Sequence, residues 1–197
     1  MRFDKPTLAL LVASALTLAA CGKTDDAGTD TAGAIRQDDT TALADSAAPG
    51  WTDANIFALL DEANASDSAH GAIASTKGTS SAVREFGKQM MRDHHSLRLQ
   101  GEALAKRLQV TPTPPANDSL PATAQKTSDL LNSTARGRDF DKAYIDHEVA
   151  MHKTVLEIVI QAMNAAQSTE LKNMIQKATP TIQGHLDKAQ EIQRTMQ

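Results

Sequence analysis

The chain has 197 residues, is 41% hydrophobic and only 3% aromatic, and carries a formal charge of −4. With no basic run to track phosphates and no aromatic platform for stacking, that composition excludes nucleic acid as a partner. A single cysteine, Cys21, excludes an internal disulfide, so a hydrophobic core must hold the fold.

Residues 1–20 read as an export signal. Arg2 and Lys5 give a short basic start, diluted by Asp4, and an apolar run from Leu8 to Leu16 follows. That run is too short to span a bilayer and has the layout of a secretory signal. Leu18-Ala19-Ala20-Cys21 resembles the lipobox of bacterial lipoproteins, in which the cysteine receives the lipid and becomes the first mature residue. Gly22 follows it where an aspartate would favour inner-membrane retention, so the resemblance implies an outer-membrane anchor facing the periplasm. Losing residues 1–20 moves the formal charge from −4 to −5, because Arg2 and Lys5 outweigh Asp4. No second apolar stretch is long enough to cross a membrane, so the expected membrane contact is a lipid tether.

After Cys21, the stretch to residue 50 is rich in Asp, Thr, Ala and Gly. It has too few large apolar groups to offset its chain entropy, and residues 21–50 read as a lipidated cysteine with a flexible tether. Residues 51–197 then form one all-α domain. The first long helix is expected from about Thr52 to Lys77, capped by Thr52 or Asp53, with Gly78 just past its end. Its inward stripe is Ile56, Leu60, Ala63, Asp67, His70 and Ala74. The second runs from Ser80 or Ser81 to about Gln109, with Val83, Phe86, Met90, His94, Leu97, Gly101, Leu104 and Leu108 inward. Residues 110–121 hold four prolines and read as a crossing segment, followed by a shorter helix from about Ala122 to Thr134. The third long helix spans about Asp139 to Ala166, with Tyr144, Ile145, Glu148, Val149, His152, Leu156, Val159 and Met163 inward. The fourth spans about Thr169 to Met196, with Leu171, Ile175, Ala178, Ile182, His185, Leu186, Ala189 and Ile192 inward; Pro180 should kink it or cost one backbone bond. Short joints imply two antiparallel hairpins, giving an antiparallel four-helix bundle with a long crossover between helices 2 and 3 that carries the short extra helix.

Each long helix places one polar group in its apolar stripe: Asp67, His94, His152 and His185. Such groups are costly to bury unless something satisfies them. Glu148, one turn before His152, and His70, one turn after Asp67, form a second tier, while His95 and His147 are expected to face water. Counting from the joints leaves Asp67 and His94 one turn apart in height, and likewise His185 and His152; one turn is roughly 5 Å. The set suits a transition metal (Cu, Zn, Fe or Mn). Met90, Met91 and Met151 lie nearby in sequence; they read either as thioethers favouring Cu(I) or as core filler. The histidines themselves read either as ligands or as a hydrogen-bonded network that fixes helix register.

No catalytic residue is assigned. The chain has no Glu-x-x-His, which the di-iron carboxylate bundles use on two helices, and neither a Gly-x-Ser-x-Gly elbow nor a phosphate-cradling glycine loop.

Three stretches, Ser81 to His94, Phe140 to Tyr144 leading into Val149-Ala150-Met151-His152, and Pro180 to Leu186, resemble a bacterial envelope family of ferritin-like bundles, the domain of unknown function 4142, often described as predicted outer-membrane proteins. In that family His94, His152 and His185 match recurrent motif histidines and Pro180 a recurrent proline. Asp67 stands where the family usually has glutamate, one methylene longer. The resemblance covers the folded domain and implies a ferritin-like fold and an envelope location, but no reaction. The expected function is a periplasm-facing envelope lipoprotein that binds or buffers a transition metal. The alternative is a non-catalytic envelope or stress interaction module whose histidines are structural.

Overall fold

The computed structural model describes residues 50–196. The export signal, Cys21 and nearly all of the expected tether lie outside the described residues. Five helices make up the rest: α1 (Asp53–Lys77), α2 (Ser81–Arg107), α3 (Leu120–Ser133), α4 (Arg138–Ala165) and α5 (Thr169–Arg194). None is long and apolar enough to cross a membrane.

The helix starts follow from local chemistry. Thr52 caps α1 in a reciprocal capping box with Asn55. Ser80 caps α2 by accepting from the Val83 amide, and Ser168 caps α5 by accepting from the Leu171 amide. Two aspartates then tie the hairpins together at opposite ends. Asp53, in the first turn of α1, accepts from the Gln167 and Ser168 amides at 2.7 and 2.9 Å. Asp141, in the first turn of α4 and buried, accepts from the Thr79 and Ser80 amides at 2.7 and 2.8 Å. Each carboxylate thus satisfies the orphan amides at the turn of the other hairpin, where helix dipoles also favour negative charge.

Helices α1 and α2 pack along one another, as do α4 and α5, and contacts of α2 with α5 and of α1 with α4 complete a helical bundle. Residues 108–137 connect α2 to α4 and carry α3, which lies against α1 and, over a shorter stretch, α4. Lys77 fixes the end of α3 by donating to the Leu131 and Asn132 carbonyls. Helices α1 and α2 touch through Gly71 and Gly87: a Cβ on Gly71 would lie 2.6 Å from the Gly87 carbonyl oxygen, and one on Gly87 2.7 Å from that of Gly71. That close approach sits beside His70 and draws the two helices together at the level of the polar side chains. Helix α5 runs through Pro180 without interruption.

The core has two apolar halves. One contains Ile56, Phe57, Leu104, Val159, Leu171 and Ile175. The other contains Val83, Phe86, Met90, Phe140, Tyr144, Ile145 and Ile192. Along every long helix the residues of these halves flank buried polar ones: Asp67 and His70 on α1, His94 on α2, His147, Glu148 and His152 on α4, and His185 on α5. The polar groups form a belt across the middle of the bundle.

Candidate metal centre

The belt contains two groups of converging ligand atoms. One nitrogen each from His94, His152 and His185 lies within 4.8 Å of the other two, and one atom each from Asp67, His70 and His147 meets the same limit. All six residues are buried. Ring centroids in the first group are 5.1 Å apart for His94–His185, 5.4 Å for His152–His185 and 5.7 Å for His94–His152. The one-turn offsets counted along the sequence do not keep the rings apart.

Each ring of the first group is fixed by one hydrogen bond. His152 Nδ1 lies 2.9 Å from the Glu148 carbonyl oxygen, which can only accept, so Nδ1 carries the proton. His94 Nδ1 lies 2.9 Å from Asn64 Oδ1. The Asn64 amide is itself oriented, since its Nδ2 donates to the Leu60 carbonyl, and His94 Nδ1 is again the donor. His185 Nε2 donates to Asp93 Oδ2 at 2.9 Å. The remaining nitrogens, Nε2 of His94, Nε2 of His152 and Nδ1 of His185, are buried and have no hydrogen-bond partner. Burial, reinforced by the neighbouring histidines, holds His94 well below the usual imidazole range and brings His152 down to about 4. Those two rings are neutral at pH 7, with a lone pair on each bare nitrogen.

In the second group His70 Nε2 donates to the Ala124 carbonyl of α3 at 3.2 Å, leaving Nδ1 bare. His147 has no hydrogen bond at either nitrogen, and its ring meets that of His70 edge-on at 5.1 Å. Burial, with His70 and His152 nearby, pushes His147 down to about 3. Burial raises Asp67 to about 7 and, with the Asp67 charge beside it, lifts Glu148 well above the carboxylate range. The Tyr144 hydroxyl is pushed well above its ordinary value by burial and then by the Glu148 charge. Asp67 also lies close to the first group, its Oδ2 being 3.7 Å from His94 Nδ1.

The family model described as Domain of unknown function (DUF4142) matches residues 38–192. The chain belongs to that family. No curated protein and no solved structure matches the chain. The DUF4142 domain here thus joins an established family to buried His and Asp groups able to hold a metal ion.

The structure brings His94, His152 and His185 together and sets Asp67 beside them, within reach of His70 and His147. The expectation of a solvated His147 is corrected: only 2% of it is exposed. Helices α1, α3 and α5 all pack on α4, so between Phe140 and His152 this helix is buried over much more than one stripe. His70 is fully buried beneath α3, whereas His95 does face water. Of the methionines, Met90 and Met151 pack into the apolar halves and Met91 is partly exposed. Sequence reasoning also missed Asn64 and Asp93. Asn64 lies one turn before Asp67 on the same face, which was a visible signal. Asp93 does not share a face with its neighbour His94; it reaches His185 on α5 instead.

A cavity of about 320 Å³ has Asp67 and His94 among its lining residues. Its walls include Leu60, Val155, Val159, Ile175 and Ile182, and the half-exposed Arg98–Asp61 ion pair, at 2.6 Å, lines it as well.

Proposed function

We propose that this protein is an envelope lipoprotein whose ferritin-like domain binds or buffers a transition metal through His94, His152 and His185. The observation that carries the reading is three buried rings, each offering a ligand nitrogen within 4.8 Å of the other two, and each with one bare nitrogen while the other is already committed to an acceptor. Neutral acceptors cannot satisfy one another, and a register-fixing network needs donors that these rings have spent elsewhere. A metal ion is the electrophile such a set requires, and the Asn64, Glu148-carbonyl and Asp93 contacts are the outer partners that orient histidine ligands. Zinc-bound nitrogens at about 2.0–2.1 Å from the ion stand about 3.4 Å apart in a tetrahedral site, a span that ligand nitrogens within 4.8 Å of one another can reach by small side-chain adjustments. An imidazole set favours Zn, Cu or Fe, and the Asp67 carboxylate beside it extends the range to Mn. The cavity reaching His94 supplies an entry path.

The lipobox-like Leu18-Ala19-Ala20-Cys21 supports tethering to a membrane, and Gly22 supports the outer one, with the domain facing the periplasm. Binding, rather than turnover, fits a chain with no Glu-x-x-His and no nucleophile motif.

The second reading, a non-catalytic envelope or stress interaction module with structural histidines, draws on the same hydrogen bonds, which tie α1 to α2 and α2 to α5. Elemental analysis of protein purified without a polyhistidine tag, followed by titration of the metal-free form, separates the two. Bound or readily taken up Zn, Cu, Fe or Mn supports the metal site. No metal as isolated and no uptake of any of the four leaves the interaction module.

A further inference from the structure

We propose that Asp67, His70 and His147 hold a second divalent cation beside the first, so that the domain carries a two-ion centre flanked by Glu148. The inference extends the reading of His94, His152 and His185 as a metal site, but it stands on different residues. One ligand atom from each of the three lies within 4.8 Å of the others. Each residue is at least 98% buried, and each presents an atom with no hydrogen-bond partner: Oδ1 of Asp67, Nδ1 of His70 and both nitrogens of His147. His70 repeats the arrangement of the first group, with Nε2–H committed to the Ala124 carbonyl and Nδ1 buried without a partner.

Charge makes the second argument. Asp67 and Glu148 bury two carboxyl groups in one belt, and Oδ1 of Asp67 has no hydrogen-bond partner. Among the described residues no lysine or arginine is buried, so no protein cation balances them. A carboxyl group buried this deeply ionises when it is paired or coordinates a metal. A divalent ion at Asp67, His70 and His147 balances the carboxylates and uses the orphaned nitrogens at once. The ligand chemistry, one carboxylate and two imidazoles, fits Zn(II), Mn(II) or Fe(II) better than a soft Cu(I). Adjacency follows from Asp67, whose Oδ2 lies 3.7 Å from the ring of His94. Glu148 flanks both groups: it follows His147 in the chain, and its Oε2 lies 3.4 Å from His152 Nδ1.

The test is equilibrium dialysis of the untagged, metal-free protein against Zn(II) alone, with bound zinc counted per chain and helix content checked by circular dichroism. The expected result is two equivalents for the wild type and one each for His70→Ala and His147→Ala, with the retained ion lost on adding His152→Ala. One equivalent in the wild type, unchanged in His70→Ala and His147→Ala, overturns the second site and leaves the first standing. Two equivalents in the wild type and in both variants also overturns it, since the second ion then sits elsewhere. No zinc at all overturns both sites. Should either variant fail to fold, electron paramagnetic resonance of the wild type loaded with Cu(II) replaces it. The second equivalent should then broaden the signal of the first through dipolar coupling, and two additive, isolated signals contradict the pair.

Discussion

The two groups of buried ligand atoms share one belt but are held in different ways. In the first, every ring is anchored at one nitrogen by a residue of a fixed element: Asn64 on α1, the Glu148 carbonyl on α4 and Asp93 on α2. In the second only His70 is anchored by a hydrogen bond; His147 has none, and Asp67 has only the 3.7 Å approach of its Oδ2 to His94. The first group is therefore pre-organised as three rings with one nitrogen left bare on each, while the second contains a carboxyl that burial keeps protonated up to about pH 7. The difference teaches that a buried polar cluster can be built for an ion with or without a supporting shell, and that the two designs respond differently to mutation and to protons.

The comparison breaks most sharply at a ligand of the anchored group. His152→Ala should lower affinity for the first ion by more than about 100-fold, since it removes a ligand outright where loss of an orienting partner alone costs about 10–100-fold; competition titration with a chromophoric chelator measures it. Asp93→Ala should weaken the same ion by about 10–100-fold with little change in helix content, because it frees the His185 tautomer without touching a ligand. The same assay on this variant separates orientation from ligation.

Protons should sharpen the contrast. Asp67 titrates near 7 in the metal-free protein, so its site must release a proton to bind below that pH, and affinity there should fall about tenfold per unit as pH drops from 7 to 5. His94 and His152 sit well below the usual range, so neither has a proton to release on binding in that window, and the first site should lose less affinity than the second. Zinc titrations at pH 5, 6, 7 and 8 distinguish the shallower profile from the steeper one. The smallest effect is on stability without metal. The folded pKa of Asp67 is raised from 3.8 to about 7, so its contribution is fully present below about 4 and is lost as pH rises through 7. Asp67→Asn removes that dependence and should stabilise the metal-free protein at pH 8 by about 1–4 kcal/mol, as read by urea unfolding in chelator, while weakening the second ion.

The fold was largely legible in the sequence. The long helices begin and end within about two residues of where caps, glycines and the proline-rich segment set them, because those signals are local. The stripe positions of His94, His152 and His185 were legible for the same reason, since a wheel fixes direction. Height along the bundle was not, because it depends on how far helices slide at the Gly71–Gly87 contact and at the loops held by Asp53 and Asp141. His147 was misread because its burial comes from three neighbours packing on α4, which no single-helix periodicity records. Asn64 and Asp93 act across helix pairs, so their roles appear only once the pairs are assembled.

The central claim is that three specific nitrogens await an ion, and long-range ¹⁵N NMR of the imidazole rings tests it most directly. In the metal-free protein at pH 7, His94 and His152 should appear as the Nδ1–H tautomer and His185 as the Nε2–H tautomer. One equivalent of Zn(II) should shift Nε2 of His94, Nε2 of His152 and Nδ1 of His185 and leave their protonated partners in place. Protons on those three nitrogens before zinc is added, or zinc that moves only the exposed His95, would contradict the account.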